Sequence, residues 1–135
     1  MLKFTAKDVF GREVTEKDYS DAKLIMINFW EPWCGPCVGE IADLQKLYDN
    51  YKDKGLVILG MFSTVDMTDR AKMIITMNRV TYPILHFTEE MRNYTTQYVP
   101  TTVFFDGQGN LLSPEPAIGS KSYEGWKAEV EKYLA

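Results

Sequence analysis

The sequence predicts an α/β fold, a sandwich of helices around a central mixed sheet. Three observations carry this prediction. Two nearly unbroken apolar runs, at 24–30 and Leu56–Phe62, have the composition of strands covered on both faces. Amphipathic helical patterns alternate with them. A hairpin signal, Asp106-Gly107-Gln108-Gly109, and a last helical pattern close the chain.

Taken in order, residues 3–14 read as an opening hairpin turning near Asp8 to Gly11. The run at 24–30 is the first buried strand. Pro36 suits the first turn of a helix, where its missing N–H costs nothing. From there Cys37, Ile41, Leu44, Tyr48 and Tyr51 recur at spacings of four, three, four and three. That is one face of a single helix, and Gly55 is its natural C-cap. Leu56–Phe62 is the second buried strand. Residues 68–80 read as a helix with Ala71, Ile74, Ile75 and Asn78 on one side. A short strand at 82–87 begins beside Pro83, and 89–98 reads as a short helix. Strands at Thr101–Phe105 and 110–112 flank the Asp-Gly turn. Residues 122–134 form a closing helix with Trp126, Val130, Tyr133 and Leu134 as its apolar side. Nothing marks a boundary or a repeat, so residues 1–135 read as one domain.

Composition removes several function classes. Hydrophobic residues make up 45% of the chain and charged residues 25%, ordinary for a globular protein. The net charge of −4 is spread along the chain without a basic stretch, so nucleic acid is not an expected partner. No apolar run approaches the ~20 residues needed to span a bilayer. The start, Met1-Leu2-Lys3-Phe4-Thr5, lacks the apolar segment of a signal peptide. The chain is therefore either cytoplasmic or the mature part of an exported protein.

The chemistry concentrates at Cys34-Gly35-Pro36-Cys37, which holds both of the chain's cysteines. Two cysteines are too few for a disulfide-stapled scaffold. With His86 as the only histidine, they are also too few for a four-ligand structural zinc site. A dithiol on a strand-to-helix turn suits reversible disulfide exchange. Cys34 would sit exposed at the positive end of the helix, where N–H groups and the dipole favour a thiolate. Cys37 lies on the apolar stripe, close enough to close a small ring. A buried thiol resists ionising and needs a base, and Glu40, three residues on, is within reach. The plain alternatives are an inert turn or half of a shared metal site for the cysteines, and a solvated surface for Glu40.

Trp33-Cys34-Gly35-Pro36-Cys37 resembles the active-site motif of the thioredoxin superfamily. Phe29-Trp30 ahead of it and 99–106, Val-Pro-Thr-Thr-Val-Phe-Phe-Asp, resemble that family's other landmarks. Within it the chain is most similar to the TlpA/ResA-type thiol–disulfide oxidoreductases. Asn28 occupies the place of a buried Asp, Glu40 matches a glutamate after the second cysteine, and 63–90 resembles an inserted helix and strand. Two departures are visible. Glu31-Pro32 stands where small or polar residues are usual and would reshape the surface beside Cys34, and Ala42 replaces a helix proline.

The resemblance implies a thioredoxin-like fold with an N-terminal hairpin and a helix-strand insertion. It implies a protein-disulfide oxidoreductase in which Cys34 forms a mixed disulfide and Cys37 resolves it, with Glu40 assisting. Trp33, Gly35, Pro36, Val99, Pro100 and Thr101 would receive the substrate, with a cis bond before Pro100. No cofactor beyond the Cys34–Cys37 disulfide and no metal are expected. The partners would be protein thiols or disulfides and an upstream redox donor, and the chain a monomer. An extracytoplasmic place, with a signal or anchor removed, follows from the resemblance; the cytoplasm is the alternative. Competing functions are a thiol peroxidase and a Cu or Zn module built on the cysteine pair. His86 reads as structural. Met61, Met67, Met73 and Met77 read as core filling. Trp30 reads as a buried wall of the site and Trp33 as an exposed shelf.

Overall fold

A computed structural model describes residues 1–135. Its strands are β1 (Thr5–Lys7), β2 (Glu13–Thr15), β3 (Leu24–Phe29), β4 (Leu56–Phe62), β5 (Ile84–His86), β6 (Thr101–Phe105) and β7 (Ala117–Ile118). Its helices are α1 (Gly35–Tyr51), α2 (Thr68–Met77) and α3 (Tyr123–Leu134). The main sheet has the order β5-β4-β3-β6-β7. β3, β4 and β5 run parallel, while β6 and β7 pair antiparallel. β1 and β2 form the separate N-terminal hairpin.

The period of two along a strand divides the core into two layers. Leu24 and Met26 of β3 join Ile41, Leu44 and Leu47 of α1, Ala71 and Ile74 of α2 and Trp126 and Val130 of α3. Ile25, Ile27 and Phe29 face the other way. They pack with Leu2, Phe4, Val14, Met91 and Val103. The second layer is thus closed by the N-terminal segment, the hairpin and a 3-10 turn, with no α-helix in it.

Helix α1 begins where predicted and runs into a 3-10 turn, Lys52–Lys54, ended by Gly55 at φ +102°. Gly60 is required for a different reason. A Cβ there would meet Ile84 Cδ1 at 2.7 Å and the Trp30 indole nitrogen at 3.1 Å.

Four expectations change. The segment at 89–98 is a 3-10 turn over Glu89–Tyr94. Helix α2 stops at Met77, because Arg79 adopts a positive φ of 51°. Residues 110–112 form only a single bridge, Phe105 to Leu111, and the strand beside β6 is β7. There the Phe104 N–H is taken by the Ser113 hydroxyl, and Pro114 and Pro116 have no N–H for a ladder. Finally, Met61 is in the core and Met67 is half-buried, but Met73 and Met77 are 61% and 76% exposed. The buried stripe of α2 runs through Ala71 and Ile74; at about 100° per residue Met73 points away from it and Met77 lies on its solvent-side edge in the last turn.

Candidate active site

The first turn of α1 and the loop before β6 build the site. Cys34 is the N-cap of α1, with extended backbone, and Pro36 lies in the first turn. Cys34 and Cys37 are joined in a disulfide with Cα atoms 5.2 Å apart. The Cys37 N–H donates to Cys34 Sγ at 3.2 Å, so the helix end offers a donor to that sulfur. Cys34 Sγ also lies 3.7 Å from the Val99 carbonyl oxygen. The Val99–Pro100 peptide is cis, and the Gly119 N–H holds the Pro100 carbonyl at 2.9 Å.

Cys34 is buried, contrary to the expectation of an exposed sulfur. Its bond to the fully buried Cys37 and its contact with the Val99 loop draw it inward. Trp33, Gly35 and Pro36 are exposed around it, with Trp33 at 59%. Val99 is half-buried and Pro100 is buried.

Glu40 is 3% exposed, which removes the solvated-surface alternative. Its Oε1 accepts from Trp126 Nε1 at 2.8 Å and from the Lys121 N–H at 3.2 Å. Its Oε2 accepts from Asn28 Nδ2 at 3.3 Å, and the same amide donates to Thr102 Oγ1 at 3.1 Å. Burial pushes the Glu40 carboxyl above the ordinary carboxylate range. The three donors pull the other way without cancelling that effect, and Asp43 adds to it. Parity explains the cluster: Asn28 and Thr102 are cross-strand partners whose side chains share the face beneath α1.

Thr101 falls on the opposite face by the same parity. Its hydroxyl is fully buried, donates to the Tyr98 carbonyl at 2.7 Å and meets Thr96 Oγ1 at 2.7 Å. Its hydroxyl thus ties the loop before Pro100 to the start of β6. Thr102, Trp126 and the Lys121 N–H belong to the site and were missed. Thr102 is legible once the strand parity is known; Trp126 and Lys121 lie more than 80 residues from Glu40, without a local signal.

The His86 ring packs on Phe62 with centroids 5.0 Å apart, and burial lowers its pKa. No group of three or more His, Cys, Asp or Glu side chains is arranged to hold a metal ion. Trp30 is buried against Phe62, as the wall reading expects. A cleft of about 360 Å³ is lined by Val99, Glu31, Phe29, Met61 and Phe87, and neither cysteine lines it.

Comparison with known proteins agrees with this geometry. The AhpC/TSA family model matches residues 1–113. The thiol-disulfide oxidoreductase ResA of Bacillus cereus is 29% identical over 134 residues, covering 97% of this chain and 72% of that protein. The thioredoxin-like protein YneN of Bacillus subtilis is 28% identical, over 78% of this chain and 63% of its own length. A thiol:disulfide interchange protein of the thioredoxin family from Chlorobium tepidum superposes with a TM-score of 0.86. It is 21% identical, over 99% of this chain and 94% of that one.

Proposed function

Because the chain belongs to the AhpC/TSA family and is a thiol–disulfide oxidoreductase of the ResA-like kind, we propose that it reduces disulfides in other proteins. In the first step the Cys34 thiolate attacks one sulfur of the substrate disulfide. A Cys34–substrate disulfide forms, and the other substrate sulfur leaves and takes up a proton. In the second step Cys37 gives its proton to Glu40 and attacks Cys34 Sγ. The Cys34–Cys37 disulfide forms and the second substrate thiol is released. The substrate gains two electrons and two protons in all. The chain loses two electrons and, once Glu40 hands the Cys37 proton on to the departing substrate sulfur, one proton. Solvent supplies the other, which Cys34 gave up on ionising. An upstream redox donor then restores the dithiol.

One observation carries this reading: a disulfide capped by the start of α1, with its first sulfur 3.7 Å from the Val99 carbonyl. Glu40 supports the second step, since a carboxyl held above its usual pKa accepts a proton near neutral pH more readily than an ordinary one. Trp33, Gly35, Pro36, Val99 and Pro100 are the surface on which the substrate chain lies. The disulfide is the whole redox group, without a further cofactor. A monomeric state and an extracytoplasmic place are part of the same proposal.

Reduction of insulin disulfides tests the proposal. The wild-type protein should precipitate the insulin B chain catalytically in the presence of dithiothreitol. Cys34→Ser should match the rate of dithiothreitol alone, and a wild type no faster than Cys34→Ser would end this reading. Peroxide consumption beyond that of a free thiol would instead favour a peroxidase.

A further inference from the structure

Glu31, three residues before Cys34, is not a surface residue: it is 8% exposed. Its Oε2 accepts from the Ser63 N–H at 2.9 Å and the Ser63 hydroxyl at 2.6 Å. Its Oε1 accepts from the Thr64 N–H at 3.1 Å and the Thr64 hydroxyl at 2.7 Å. No cation pairs with it; the chain's one ion pair is Glu89 with Arg92. A buried carboxylate without a cation is costly unless its oxygens are filled with donors. Here two consecutive residues fill both. The Glu31 carbonyl accepts from the Cys34 N–H at 3.0 Å. The next carbonyl, of Pro32, accepts from Arg70 Nε at 3.1 Å. The segment bearing Trp33 and Cys34 is therefore tied at two successive residues to the stretch that follows β4.

We propose that Glu31 is a positioning residue for the dithiol. Its carboxylate locks the Cys34 loop to Ser63 and Thr64 and so keeps Cys34 placed to close the ring with Cys37. In the oxidised chain the disulfide itself holds that loop. In the reduced chain the helix cap, this clamp and the Arg70 bond to the Pro32 carbonyl hold it, and the clamp supplies most of those bonds. Loosening the clamp lets the reduced loop spread and rehydrate the freed donors, while the oxidised loop stays held with those donors unpaired. The reduced form then gains relative to the oxidised form, and the disulfide becomes easier to reduce. The inference rests on the Cys34–Cys37 exchange proposed above. It is read without a protein substrate, so failure to reduce insulin and failure of this role are separate results.

The test is equilibrium with glutathione, in which protein dithiol and one oxidised glutathione give protein disulfide and two reduced glutathiones. Glu31→Gln places an amide against donors and should lower the equilibrium constant about tenfold, or about 30 mV toward easier reduction. Thr64→Val keeps the charge and removes one hydroxyl donor. It should move the constant the same way, by about threefold. A lowered melting temperature with an unchanged constant in both variants would make Glu31 a structural brace only, and the proposal would fall. A shift in Glu31→Gln with none in Thr64→Val would assign the effect to charge on Cys34 and would also overturn it.

Discussion

Glu40 is the residue whose environment does most to set the chemistry and is most exposed to test. Its carboxyl is held above the ordinary range by burial, so its protonated form is favoured in the folded state. Folding stability linked to this group is therefore fully present below its unfolded pKa, near 4.3, and is lost as pH rises through the folded value. Glu40→Gln cannot lose that contribution. In the oxidised protein, where the cysteines do not titrate, urea unfolding should show wild type losing stability relative to Glu40→Gln from about pH 4.5 upward. A constant difference between pH 4 and pH 8 would contradict the assignment. In the reduced protein the same variant should slow resolution of the mixed disulfide about a hundredfold or more, the range typical of a general base. Its place near Cys37 was legible from a spacing of three on a helix. Its donors were not, because Trp126 and Lys121 reach it only through the packing of α3 on α1. Glu31 was visible only as a departure from a pattern, since its partners follow a different strand.

At the level of elements, hydrophobic period and turn chemistry located β3, β4, β6, α1 and α3 closely. These are the long or strongly patterned segments, in which local preference and burial agree. The sequence was less informative where tertiary pairing decides. The strand beside β6 is two residues long and follows two prolines, so no periodic run announces it. The outer methionines of α2 share helical spacing with its buried stripe, and spacing alone does not say which side faces the sheet. Gly60 also escaped notice, because a glycine within an apolar strand gives no hint of what crosses it. In the fold it sits beneath Trp30 and Ile84. Gly60→Ala should cost about 1–3 kcal/mol, the range for overpacking a tight core. Ile84→Val deletes the Cδ1 atom that the new methyl would meet at 2.7 Å. Combined with Gly60→Ala, it should therefore cost less than the sum of the two single changes. Additive losses in urea unfolding would show that Trp30, and not Ile84, sets the limit.

On the scale of the whole molecule, the site is assembled from separated stretches: the end of β3 and start of α1, the turn after β4, the loop before β6, and the start of α3. The helical layer that contains Cys34 and Cys37 also contains Trp126, Val130, Ala71 and Ile74. The dithiol is thus part of the core that stabilises the fold, and its redox state should register in global stability. A ring of about four residues restricts the unfolded chain by roughly 2 kcal/mol in the loop-entropy account. Oxidised protein should therefore resist urea more than protein kept in dithiothreitol. With a slope of about 2 kcal/mol/M for a chain of this size, the midpoints should differ by about 1 M, with little change in slope. A reduced form as stable as the oxidised one would mean that the free dithiol gains compensating interactions in the fold. The N–H of Cys37 directed at Cys34 Sγ is the contact through which such a gain would first act. Repeating the measurement on Glu31→Gln would separate the two contributions. Loosening the loop in the reduced state should narrow the gap between oxidised and reduced midpoints, because the same linkage that eases reduction removes part of the oxidised form's advantage.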